Sequence, residues 1–198
     1  FIHYYNIYIT LVKFKFFWYN IFMEKILIQD NFFDNAYDLR ELALSTRFFS
    51  AEEKNYEVGW RGYRTNEMRD LDKNILKVSC QKIKDELIKF FNLKIGEDEG
   101  NFYFHIALTH TKNTLENFDI NKFHIDDSRF AGIVYLSPNP PPKTGTTIII
   151  NDENKDIENK FNRLVAYPSS LTHAPSDLFG DTMETGRLTI SFFVWNIK

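Results

Sequence analysis

Cysteine is nearly absent: the 198 residues contain one, Cys80. No intrachain disulfide can form, which fits a reducing, cytoplasmic setting. Cys80 falls inside a helical pattern and reads as a small buried apolar residue. A charge excess of either sign is also missing. The formal net charge of -3 leaves no general footprint for nucleic acid or an anionic membrane. Internal repeats and solvated charge blocks are lacking, and no composition shift marks a second domain. With 43% hydrophobic residues, the length suffices for one domain with a proper core and argues against disorder.

The first 22 residues lack an initiator Met and crowd Phe, Tyr, Ile, Asn and Lys; the first Met is Met23. A membrane span needs about 20 largely apolar residues. His3, Asn6, Lys13, Lys15 and Asn20 interrupt such a run here. Neither a basic start nor a small-residue cleavage site marks a signal peptide. AT-rich codons encode this residue mixture. Residues 1–22 are therefore expected to be an upstream or disordered segment foreign to the native domain, and the fold is read over 23–198 as one domain.

Helical periodicity comes first. Lys25 to Ile28 reads as a strand, then Asp34 or Asn35 can cap a helix with Leu39, Leu42 and Ala43 on one face. A long amphipathic helix is predicted from Met68 to Phe91, with Leu71, Ile75, Leu76, Val78, Ile83, Leu87 and Phe90 near the helical period and a break at Gly96 to Gly100. After Gly100 the pattern alternates. Phe102, Phe104, Ile106 and Leu108 take one face, and Tyr103, His105, Ala107 and Thr109 the other. "KFHID", "AGIVYLS", "TTIII", "NRLVAYP" and "RLTISFFVWNI" follow as strands. "PNPPPKTG" is a turn, and "NDENKDIEN" reads as a solvated loop. Helices followed by strands predict an α+β fold, with helices on one side of a mainly antiparallel barrel or sandwich.

Chemistry concentrates late in the chain. His124 and Asp126 lie two apart on a predicted strand, so both side chains leave one face and can bind one ion. His173 lies just past the predicted strand "NRLVAYP", in a loop held by Pro168 and Pro175. Two histidines and a carboxylate form the facial triad that holds non-haem Fe(II) and leaves positions open. Arg187 and Thr189 share a face of the last strand, and a guanidinium can hold a carboxylate co-substrate by two charge-assisted bonds.

The stretches "FHIDDS", "FAGIVYLSPNPPPKTGTTIII", "LVAYPSSLTHAP" and "GRLTISFFVW" resemble the catalytic core of Fe(II)/2-oxoglutarate-dependent dioxygenases of the prolyl-hydroxylase-like kind. The "YLSPNPPPKTGT" hairpin is similar to that of small bacterial and phage members, and "DNFFDNAYDLRELALS…GWRGYRT" to their lead-in. The resemblance implies a double-stranded β-helix, a jelly-roll or cupin-like barrel, with Fe(II) on His124, Asp126 and His173. It implies 2-oxoglutarate as co-substrate, its distal carboxylate on Arg187 with Thr189 as hydroxyl helper. The implied reaction decarboxylates 2-oxoglutarate to succinate and hydroxylates a substrate C–H. Arg187 departs from the lysine often used by prolyl hydroxylases proper, which bears on the subfamily and not on the chemistry.

Around this set, the hydroxyls of Tyr103 and Tyr135 can bond the co-substrate; packed aromatics are the alternative. Asp127 points to the opposite face of a regular strand and is a second choice as ligand. His105 reads as a satisfied interior histidine, and His110 as a solvent-facing one. Arg61 and Arg64 either reach an anionic or peptide substrate or tie helix to barrel. Gly132 and Gly145 serve backbone geometry. Two other functional readings stay open: a cupin-like metalloenzyme that does not use 2-oxoglutarate, and a non-enzymatic β-sandwich binding module. Substrate and oligomeric state are not legible.

Overall fold

The computed structural model describes residues 25–54, 62–93, 102–109 and 123–195; the expectations for residues 1–22, Arg61 and His110 concern residues outside this set. Six strands form the larger sheet, in the order β1 (Leu27–Gln29), β7 (Leu164–Pro168), β4 (Phe130–Tyr135), β9 (Arg187–Val194), β3 (Phe102–Thr109), β2 (Tyr63–Arg64). Three form the smaller, in the order β6 (Glu153–Ile157), β5 (Thr146–Ile150), β8 (His173–Pro175). Every pairing between these strands is antiparallel. Helices α1 (Ala36–Leu44) and α2 (Asn74–Phe91) precede all strands but β1 and β2.

The two-residue period of the strands sorts their side chains into two cores. Phe104, Ile106, Val134, Leu188, Ile190 and Phe192 pack with Leu39 and Ala43 of α1 and Leu76, Ile83 and Leu87 of α2. Ala131, Ile133, Tyr135, Val165 and Tyr167 leave the other face and meet Ile148 and Ile157 of the smaller sheet. The mixed helix and antiparallel-sheet architecture is thus layered, helices on one face of the larger sheet and the smaller sheet on the other. Leu87 is fully buried in the helix-side core, so Leu87→Ala would cost about 2–5 kcal/mol. At Gly132 a side chain would strike the Val165 carbonyl and the Phe192 ring. That close approach lets β4 sit between β7 and β9 with α2 behind it.

Several expectations need correction. The helix predicted over 68–91 is broken: Met68–Asp70 is a 3-10 turn, Leu71 is extended, and α2 starts at Asn74. The cause is Glu67. Its carboxylate accepts from the Arg69 and Phe104 backbone N–H groups, at 3.2 and 3.0 Å, which ties the turn to β3 instead of to α2. Val78 is 58% exposed and belongs to the solvent face of α2. The helix stops at Asn92, which takes the left-handed conformation that asparagine tolerates. Asn35 sits at the N-cap of α1, but its side chain makes no capping bond. "NDENKDIEN" is not a loop: it carries β6, an edge strand whose side chains are exposed except Ile157. His173 opens β8 instead of lying in a loop. "KFHID" reduces to a single bridge between His124 and His173.

Candidate metal centre

Backbone pairing builds the centre. His124 and His173 face each other across the bridge, and the Asp126 N–H donates to Ser169 O at 3.1 Å. Both bonds hold the 123–129 segment against the β7–β8 connection. His124 and Asp126 therefore project the same way while Ile125, between them, is 62% exposed. Buried Ser128 and Ser169 share a hydroxyl–hydroxyl bond of 2.7 Å beneath this segment.

The side chains converge. His173 Nε2 lies 3.3 Å from one Asp126 carboxylate oxygen, and His124 Nε2 lies 3.8 Å from the other. One ligand atom from each residue falls within 4.8 Å of the other two. Two neighbouring ligands on one ion, with bonds near 2.1 Å at right angles, stand about 3 Å apart. The observed spacings are somewhat wider than that, and small side-chain rotations would close them on an ion. Exposure is graded: His124 lies at the surface, Asp126 is half-buried and His173 is buried.

His173 is held in one tautomer. Its Nδ1 lies 2.9 Å from Leu171 O, and a carbonyl can only accept, so Nδ1 carries the proton. Nε2 then faces the Asp126 carboxylate. Two electron-rich atoms at 3.3 Å call for a proton or a cation between them. A second group orienting a ligand histidine in this way is the usual support of a metal site. The Tyr167 ring packs on the other side of His173, 4.7 Å between centroids. Burial, and then the Asp126 carboxylate, push the Tyr167 hydroxyl pKa far up, so it stays protonated.

Arg187 is buried as well. Its guanidinium lies over the Tyr135 ring at 5.4 Å. Nη2 makes only long bonds, 3.4 Å to Gly145 O and 3.4 Å to Thr146 Oγ1, and the buried Nε has no hydrogen-bond partner among the described residues. Thr146 Oγ1 also pairs with the Tyr135 hydroxyl at 2.7 Å. Burial raises the Tyr135 pKa, and the neighbouring Arg187 charge opposes that rise. A side chain on Gly145 would strike Ile157 O and lie 2.8 Å from Asn159 N, so only glycine lets this backbone sit here. Ile148 pairs with His173, and Thr146 is two residues along the same strand. Arg187 thus reaches β5 about 7 Å from the level of the triad. A buried guanidinium with an unmet donor asks for an anion.

The other candidates separate. Thr189 pairs with Tyr135 and shares the face of Arg187; its hydroxyl makes long bonds to Ala107 O at 3.5 Å and Ser191 Oγ at 3.4 Å. Tyr103 pairs with Phe193, six residues from Arg187 along β9, or about 20 Å. It is 39% exposed and stands apart from the Arg187 end. Asp127 is exposed and outside the converging group. His105 is interior but not satisfied: neither ring nitrogen has a partner among the described residues. Arg64 extends β2, and burial lowers its pKa to about 10 against the raising effect of nearby Asp126. Thr146, Tyr167 and the Ser128–Ser169 pair escaped the sequence reading. Tyr167 alone had a signal, the inward alternation of "LVAYP".

No family sequence profile and no curated protein sequence matches the chain. Solved structures do. The fold is similar to a prolyl-4-hydroxylase from Pseudomonas putida, with a TM-score of 0.57 and 16% identity over 86% of this chain and 92% of that one. It is also similar to a prolyl hydroxylase from Trichoplax adhaerens, solved with a hypoxia inducible factor peptide fragment, with a TM-score of 0.57 and 14% identity over 86% and 83%. A prolyl 4-hydroxylase from Phytophthora capsici matches with a TM-score of 0.57 and 11% identity over 88% of this chain and 59% of that one. At such identities the likeness is one of fold. The chain has a prolyl-hydroxylase-like fold and carries a His-Asp-His group compatible with iron.

Proposed function

We propose that the protein is an Fe(II)- and 2-oxoglutarate-dependent dioxygenase built on a double-stranded β-helix, hydroxylating a substrate while 2-oxoglutarate is converted to succinate. The observation that carries this reading is the convergence of His124, Asp126 and His173 together with a buried Arg187 guanidinium that reaches Thr146, two residues along β5 from the partner of His173. Three ligand atoms on His124, Asp126 and His173 await a cation, and the buried Arg187 Nε awaits an anion. The spacing along β5 suits a short molecule that joins the two.

His124, Asp126 and His173 would hold the iron, which when bound supplies the oxygen activation that no side chain can perform. Leu171 O keeps the His173 proton on Nδ1. Arg187 binds and orients the distal carboxylate, and Tyr135 forms the apolar floor beneath the guanidinium. Tyr167 shields the buried side of His173 from water. Thr189 shares this face and would supply the hydroxyl helper; Tyr103, six residues along β9 from Arg187, stands too far off to bond the same carboxylate.

Anaerobic addition of Fe(II) and 2-oxoglutarate tests the reading. A weak visible charge-transfer band that Arg187→Leu shifts to higher 2-oxoglutarate concentration, with succinate released in air, is the expected result. A cupin-like metalloenzyme would bind metal but give neither band nor succinate. A binding module would bind neither.

A further inference from the structure

Strands β3 and β9 pair in register, with Thr109 opposite Arg187 and Ala107 opposite Thr189. Directly paired residues share a face of the sheet, their Cβ atoms about 4.5–5.5 Å apart. Arg187 reaches Gly145 O and Thr146 Oγ1, so the face it shares with Thr109 is the one turned to the smaller sheet. The Thr109 side chain therefore stands one strand over from the stem of the guanidinium.

Thr109 Oγ1 is buried and has no hydrogen-bond partner among the described residues, which is equally true of Arg187 Nε. Each unmet group is costly in the interior. The hydroxyl could accept from Nε–H, yet the two do not bond. An acceptor set between them would meet both, and an ionised carboxylate has two oxygens and only accepts. The Thr109 methyl rests beside Gly62, where a side chain would lie 2.7 Å from it. A β-branched χ1 is stiff, so this seating holds the hydroxyl away from Gly62. Thr189, two residues along β9 from Arg187, differs: its hydroxyl already has Ala107 O at 3.5 Å and Ser191 Oγ at 3.4 Å.

We propose that Thr109 is a co-substrate-binding residue, its hydroxyl donating to the same distal carboxylate of 2-oxoglutarate that Arg187 holds. The assignment rests on the iron and 2-oxoglutarate reading. One carboxylate oxygen meets the guanidinium and the other meets the hydroxyl. A guanidinium supplies the charge, and a donor from the neighbouring strand fixes the plane in which the carboxylate lies. Both donors come from paired strands, so the register of β3 on β9 sets their spacing.

The test is calorimetric titration of 2-oxoglutarate into the Zn(II)-loaded full chain, as wild type, Thr109→Val and Thr109→Ser. Thr109→Val keeps the branched shape and loses the hydroxyl. Losing a hydrogen bond to a charged group should weaken 2-oxoglutarate about 10-fold or more. Thr109→Ser keeps the hydroxyl and should bind like the wild type. Zn(II) affinity, read on the same three proteins, should not change, because Thr109 is no ligand of the triad. Without 2-oxoglutarate, Thr109→Val should melt no lower than the wild type, since the unmet hydroxyl is gone. Equal 2-oxoglutarate affinity in the wild type and Thr109→Val overturns the role of Thr109 and leaves the parent reading standing. A Thr109→Ser protein as weak as Thr109→Val, or a matching loss of Zn(II) affinity, also overturns it and makes Thr109 a support of the fold. A wild type that binds Zn(II) but no 2-oxoglutarate overturns the parent reading and this assignment together.

Discussion

His124 and His173 form a mutual backbone pair: each N–H donates to the other's carbonyl, at 3.0 and 2.9 Å. Their imidazoles stand 4.5 Å apart as a result. The separation is set by the antiparallel bridge, so the fold itself holds the two ligands in register.

A preorganised site binds the folded state selectively, so Fe(II) or Mn(II) should stabilise the wild type. At a hundredfold excess over Kd the gain is about 2.7 kcal/mol, roughly 5–10 °C for a chain of this length. Asp126→Ala removes the carboxylate shared by both histidines. Altering a group merely behind a ligand costs about 10–100-fold in affinity, so losing the ligand should exceed that and erase the shift. Thermal scanning at graded metal concentrations checks it; an undiminished shift in Asp126→Ala would count against the triad.

Arg187 predicts a split between stability and binding. Its guanidinium is buried with an unmet Nε, so Arg187→Leu should leave the melting temperature without 2-oxoglutarate unchanged or higher. Loss of charge-assisted bonds worth about 1.5–3 kcal/mol should weaken 2-oxoglutarate roughly 10–100-fold. Arg187→Lys keeps the charge without the fork and should fall between. Calorimetric titration of the Zn(II)-loaded proteins separates the three.

Ser169 is a positioning residue. Its carbonyl receives the Asp126 N–H, and its hydroxyl pairs with Ser128 at 2.7 Å. Ser169→Ala keeps the carbonyl and loses the hydroxyl bond, for about 1 kcal/mol. The expected signature is a weaker metal affinity, since the loosened segment carries two ligands, whereas 2-oxoglutarate affinity at saturating metal stays unchanged. Equal losses at both sites would reduce Ser169 to a general support of the fold.

How far the sequence reveals this depends on the range of the forces involved. Alternation along Phe102–Thr109 and Arg187–Val194 is local, and it made β3 and β9 legible. The 124, 126 and 173 constellation was legible because a two-residue period puts the first pair on one face. What escaped was decided by distant partners. Glu67 breaks the predicted helix through a bond to Phe104, 37 residues on. Polar β6 becomes a strand because β5 offers an edge to pair with, and no hydrophobic pattern of its own announces it. Thr146 gains a role only when β5 is laid against Arg187. The unmet nitrogens of His105 are a property of packing that no alternation pattern records.

His105 also makes stability depend on pH. Burial, with the Arg64 charge nearby, holds its folded pKa well below 6.5. The unfolded imidazole gains a proton near pH 6.5, so below that pH the unfolded chain binds one proton more than the folded one. Stability must then fall as pH drops, by about 1.4 kcal/mol per unit for this group, until the folded pKa is reached. Urea unfolding of the metal-free protein at several pH values from 7.5 downward, compared with His105→Phe, isolates the contribution, because His124 and His173 are common to both chains. The wild type should show the steeper decline. Parallel profiles would mean that His105 takes up its proton in the folded state as readily as in the unfolded one.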